Sequence, residues 1–181
     1  MTVDPTIPRV SSMLLLDADG KRIAVKYFTP EWSTVPAQSA FEKSVFAKTS
    51  RTTAARGEVD ITLFDEVVVV FKFVGDLMFY IVGTQEENEL ILSQVLTGFV
   101  ESISLLLRGA VEKKTVLENL DLVLLAMDEI IDGGLLLETD ATTIASRVTM
   151  RGAEENIPIA EQTLSQAYAN VKEQIARSLL K

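Results

Sequence analysis

Neither cysteine nor histidine occurs anywhere in the 181 residues. Without cysteine the chain can form no disulfide. Without either residue, thiol nucleophiles, a Ser-His-Asp triad, zinc fingers and most transition-metal centres are excluded. Positive charge is also scarce, with 17 Lys and Arg against 26 Asp and Glu, a net charge of −9 and a pI near 4.6. Nucleic-acid binding needs Lys and Arg to displace counterions from phosphates, so it is not expected, and neither is unaided docking on anionic lipid. Long apolar runs are missing too. Runs such as Leu122 to Met127 are far short of the ~20 residues that span a bilayer. The opening MTVDPTIPR lacks the basic start and apolar core of a secretory signal. A soluble, cytosolic chain is the expectation.

What is present is apolar material. Hydrophobic residues make up 48% of the chain and the mean hydropathy is +0.24. A chain of this length fits one domain and buries roughly 70% of the surface its unfolded form exposes, so its core needs no covalent help. The high apolar share suggests that part of the surface is covered by another chain.

The local patterns predict strands first. Val10–Asp17 and Lys21–Phe28 are strand-like runs joined by Ala18, Asp19 and Gly20, which reads as a hairpin. Ile23, Val25 and Tyr27 alternate with polar or small neighbours, the period of a half-buried sheet face. Phe41, Val45 and Phe46 predict a short amphipathic helix over Gln38–Ser50. Glu58–Phe64 reads as a third strand, and Val67–Val74 and Leu77–Val82 form a hairpin through Gly75 and Asp76. The run Val67–Phe71 is apolar on both pleat faces, so both faces of that strand should be covered. Its one charge, Lys72, should pack its stem on apolar neighbours and send its ammonium to water or a carboxylate.

Helices are predicted for the remainder, over Glu86–Arg108, Thr115–Asp132, Asp140–Thr149 and Pro158–Leu180, with Gly109, Gly133, Gly134 and Gly152 at their ends. In the last of these, Leu164, Tyr168, Val171, Ile175 and Leu179 form one stripe. The fold class is α+β, a five-stranded antiparallel sheet flanked by helices with a further C-terminal helix. The expected organisation is a flexible N-terminus over 1–9, a domain over 10–150 and a helical extension over 151–181.

No arrangement of residues predicts catalysis. Asp17 and Asp19 sit in a turn, where Asp bonds backbone. Glu86, Glu87 and Glu89 sit at a helix start, where acids complement the dipole. Asp128, Glu129 and Asp132 lack the Gly-punctuated loop of a calcium site, and no phosphate loop is present. Neither a metal nor another cofactor is expected. The informative excess lies on two helices. Beside the stripe Leu92, Val95, Phe99, Ile103 and Leu106 runs a second line of Ile91, Gly98, Ser102 and Leu105. Beside Val116, Leu120, Val123, Met127 and Ile130 lie Leu122 and Leu125. A helix apolar nearly all round is buried nearly all round. These six residues are therefore candidates for a partner interface, unless the C-terminal helix of the same chain covers them.

The hairpin VSSMLLLDADGKRIAVKYF, the block FDEVVVVFKFVGDLMFYIVG and the stretch NLDLVLLAMDEIIDGGLLLETD resemble the small-chain family of clathrin adaptors, most closely its coatomer zeta branch. The likeness covers about Val10 to Met150, and the tail from Arg151 resembles the same branch. It implies a longin-like fold and no active site. It also implies a place in the coatomer vesicle coat beside the trunk of the gamma subunit and with the other coatomer subunits. Recruitment to Golgi membranes would be indirect, through an Arf-type small GTPase. Another longin-type trafficking protein, such as a GTPase regulator or a clathrin adaptor small chain, is the alternative.

Overall fold

The computed structural model describes residues 7–51 and 57–155. The predicted helix Pro158–Leu180, with its stripe from Leu164 to Leu179, lies outside the described residues, as do most of 1–9. The first hairpin is β1 (Ser12–Asp17) and β2 (Arg22–Tyr27), and α1 follows over Val35–Thr49. Next come β3 (Val59–Phe64), β4 (Val67–Val74) and β5 (Leu77–Thr84). Then follow α2 (Glu89–Leu106), α3 (Lys113–Glu118), α4 (Leu120–Ile130), a two-residue ladder of β6 (Ile131–Asp132) with β7 (Leu135–Leu136), and α5 (Ala141–Glu155). A boundary between two units falls inside α5, between Val148 and Thr149.

The five long strands form one antiparallel sheet in the order β2-β1-β5-β4-β3. Every residue of β1 is buried, as are all of β5 but Thr84 and the Val67–Phe71 part of β4. Apolar side chains on both faces of these strands create two cores. One holds Met13, Leu15, Val68, Val70, Phe79 and Ile81 under α2 and α4. The other holds Leu14, Leu16, Val69, Phe71, Tyr80 and Val82 with Phe41 and Val45 of α1. The sheet is thus covered on both sides, as the run in β4 predicts. Lys72 is half-buried opposite Val59 and Phe79, at the point where β4 leaves the covered zone.

Asp17 shows why the first hairpin turns where it does. It is 3% exposed, and its Oδ1 accepts the backbone N–H of Asp19 at 2.9 Å and of Lys21 at 2.8 Å. Gly20 takes φ 75°, and a Cβ there would meet the Phe46 ring at 2.5 Å. The turn therefore needs glycine for conformation and for space. Lys113 Nζ reaches Asp17 Oδ2 at 2.7 Å, while the Lys113 N–H donates to Asp76 Oδ1 at 2.8 Å. One residue at the start of α3 so ties both hairpin turns together.

On the opposite face Glu42, 4% exposed, receives Arg22 through both carboxylate oxygens at 2.6 and 3.1 Å, and the Tyr27 hydroxyl at 2.9 Å. A buried carboxylate without partners would be costly; here two strand residues satisfy it and anchor α1 to β2.

The predicted helix Thr115–Asp132 is two helices. Asn119, at φ −128° and ψ 38°, ends α3 and starts α4. Its side-chain amide donates to the Thr115 carbonyl at 2.8 Å, taking over as the helix closes. The predicted end at Gly133 and Gly134 is a tight turn between β6 and β7, with both glycines at positive φ.

Candidate partner interface

The sheet's covering decides which apolar residues remain outside. α2 crosses β4 and β5, and α4 crosses the β2 side. α2 has 18 residues of mean hydropathy 1.4, long and apolar enough by composition to span a membrane. Its apolar character is used inside the protein, where Leu92, Val95, Leu96, Phe99, Val100 and Ile103 pack on the sheet core.

The six candidate residues separate into three groups. Gly98 and Ser102 are buried. A Cβ on Gly98 would stand 2.4 Å from the Thr139 carbonyl oxygen, and Ser102 Oγ donates to the Phe99 carbonyl at 2.9 Å. Glycine at 98 admits the backbone of the segment leading to α5, and both positions are absent from the exposed face. Leu122 and Leu125 are half-buried and pack against the core beneath α2 and α4, and Ile91 is also half-buried. Leu105 alone of the six is open, at 53% exposure.

Other exposed apolar residues complete the picture. On α2, Leu90 is the most exposed large apolar residue described, at 76%. Leu117 and Leu124 are exposed on α3 and α4. On α4, Val123, Ala126, Met127 and Ile130 face inward and Leu124 lies on the outward side. On β3, Val59, Ile61 and Leu63 are exposed and alternate with half-buried Asp60, Thr62 and Phe64. Ile61 pairs with Val70 and Leu63 with Val68, both in the core under α2. The β3 stripe therefore points to the α2 face, beyond the reach of α2 itself. Alternation in the sequence carried this signal, but not which face of β3 would stay bare.

Burial would raise the Asp17 carboxyl, but hydrogen bonds from Lys113, Lys21 and Asp19 and the Lys113 charge outweigh it and hold it below the ordinary carboxylate value. Burial, then the hydrogen bond to Glu42, push the Tyr27 hydroxyl far above its ordinary value. Burial does the same to Tyr80. Each shift stabilises the charge state that the fold already uses, so none leaves a proton donor or acceptor poised near neutral pH. Among the described residues no three acidic side chains come together as a metal site.

Residues 9–155 match the model of the clathrin adaptor complex small chain. The chain is 52% identical over 174 residues to coatomer subunit zeta-1 of Arabidopsis thaliana, covering 96% of this chain and 98% of that one. It is 53% identical over 173 residues to coatomer subunit zeta-3 of the same plant, covering 96% and 95%. It is 42% identical over 181 residues to human coatomer subunit zeta-1, covering 100% and 98%. The fold matches a chain in a homology model of the full-length AP-3 complex in a stretched open conformation. The TM-score is 0.61 at 20% identity, over 87% of this chain and 98% of that one. The five-stranded sheet between helices is accordingly longin-like. Likeness in sequence over nearly the whole length and in fold over most of it converge on one conclusion: the chain belongs to the clathrin adaptor complex small chain family, on its coatomer zeta branch.

Proposed function

We propose that the chain is a non-enzymatic core subunit of the coatomer vesicle coat, and that it pairs directly with the trunk of the gamma subunit. In this role it supports coat assembly and transport from Golgi to endoplasmic reticulum and within the Golgi. It works in the cytoplasm and on the cytosolic face of Golgi membranes and coated vesicles, held there by the other coat subunits and an Arf-type small GTPase. The observation that carries this reading is the exposed apolar set on one side of the molecule: Leu90 and Leu105 of α2 with Ile61 and Leu63 of β3. Permanent interfaces bury roughly 2,000 Å² or more and resemble a core cut in half, and residues of this kind supply such a contact. Similarity to coatomer zeta subunits names the complex in which the contact would be made.

Co-expression with a gamma-subunit trunk tests the reading. The two chains should co-purify at equal stoichiometry, and Leu105→Glu should weaken the complex without lowering the melting temperature of the isolated chain. Failure of the wild-type chains to associate would overturn the pairing.

A further inference from the structure

On the α1 side of the sheet, away from α2 and α4, a cleft of about 810 Å³ opens between the start of α1, the β3–β4 turn and the exit of β5. Its aromatic wall is Trp32 against Phe41, with centroids 4.3 Å apart and the rings tilted by 34°, and Phe64 edge-on to Phe41 at 5.8 Å. Its rim carries Glu31, Asp65, Glu66 and Glu86, all exposed. Among the described residues none of these four carboxylates has a cationic partner within salt-bridge distance. The rim is also braced: Asp65 takes φ 50°, and Gln85 Nε2 donates to its carbonyl at 2.7 Å, linking the β3–β4 turn to the end of β5.

We propose that this cleft receives an arginine-bearing peptide segment of a protein partner. Four unpaired negative charges around low-dielectric walls focus a field that attracts cations. Among the described residues no three carboxylates converge as a metal site, so the rim suits a diffuse organic cation better than a divalent ion. The aromatic wall then selects among organic cations. A guanidinium is planar, stacks on aromatic rings and pairs bidentately with carboxylates. Phe64 already has the Lys48 ammonium 5.4 Å from its ring centre, which directs an incoming guanidinium to Trp32. A cleft of 810 Å³ holds a few side chains of an extended segment. The site lies on the other face of the sheet from the residues assigned to the gamma trunk, so it stands or falls separately.

Trp32 is the chain's only tryptophan, so its indole N–H resonance reports on this cleft alone. The probe is acetyl-Leu-Arg-Leu-Arg-Leu-amide, titrated into the isotope-labelled full chain beside acetyl-Leu-Glu-Leu-Glu-Leu-amide. The basic peptide should shift the Trp32 resonance saturably, with an affinity that falls severalfold as salt rises from about 0.05 to about 0.3 M. The acidic peptide should not. The double variant Glu31→Lys, Glu66→Lys should lose about tenfold or more in affinity while its remaining backbone resonances stay in place, since reversing rim charges disfavours the wrong sign strongly. If the double variant fails to fold, Glu86→Gln alone should still weaken binding. Absence of a Trp32 shift, an equal response to both peptides, the same shift with magnesium chloride alone, or unchanged affinity in the folded variants would overturn the proposal.

Discussion

Gly98 and Thr139 meet backbone to backbone: a Cβ added at Gly98 would lie 2.4 Å from the Thr139 carbonyl oxygen and 3.3 Å from its Cα. Neither atom is the free end of a side chain, so neither can swing aside. In an open helix Gly→Ala stabilises by about 1 kcal/mol. Here Gly98→Ala should instead destabilise by roughly 1–3 kcal/mol, the usual cost of overpacking. Thermal melting checks the sign, and a variant more stable than the parent would remove Thr139 from α2.

Asp17 makes stability depend on acid. Its folded carboxyl titrates below the ordinary value, so it contributes stability that is complete above the unfolded value of about 3.9 and is lost as pH falls through the lower folded value. Asp17→Asn keeps the acceptor for the turn but loses the charged bond to Lys113. The variant should be less stable than the parent by about 1.5–3 kcal/mol at pH 7, and the gap should close as the pH drops below about 4. Denaturant melts of both proteins across pH 3–7 provide the comparison.

Leu105, Leu122 and Leu125 look equivalent in the sequence but should behave differently on substitution. Leu122 and Leu125 pack on the core, and Leu105 does not. Leu125→Asp should lower monomer stability by roughly 1–3 kcal/mol, from lost burial and a charge brought against apolar neighbours. Leu105→Glu should change it by less than about 0.5 kcal/mol, as surface substitutions do. Equal melting temperatures for the two variants would contradict this division.

Tyr80 and Thr49 form a buried pair, with hydroxyl oxygens 2.8 Å apart, and Tyr80 also reaches Met78 sulfur at 3.3 Å. Thr49 keeps a second bond to the Val45 carbonyl at 2.9 Å. Tyr80→Phe should therefore cost only about 1 kcal/mol, and Thr49→Val more, because it leaves the Tyr80 hydroxyl with a weak sulfur partner. The double variant should cost less than the two singles together, which a double-mutant cycle by denaturant melting measures.

The two hairpins and the doubly covered β4 were legible because their signals are local: Gly20 and Gly75 in the turns, and an unbroken apolar run between them and their neighbours. The break at Asn119 was not, since the apolar spacing runs across it and only the backbone angle of one residue marks it. The second line of α2 includes Gly98, but nothing local shows that a backbone closes on it, because Thr139 comes from a distant part of the chain. The acidic cleft was invisible for the same reason. Its charges come from segments around positions 31, 65 and 86, which only the folded sheet gathers.

The place of β1 between β2 and β5 has a consequence for synthesis. Asp17 pairs with Leu77, so the inner edge of β1 stays open until about 60 more residues have been made. At ~5–20 residues per second that delay is roughly 3–12 s. During it, the run Met13–Leu16 offers unpaired backbone flanked by apolar side chains, the kind of strand edge that joins other chains. The nascent protein thus passes through an interval in which its most deeply buried strand is its most adhesive one, and the hairpin cannot protect itself until β5 arrives.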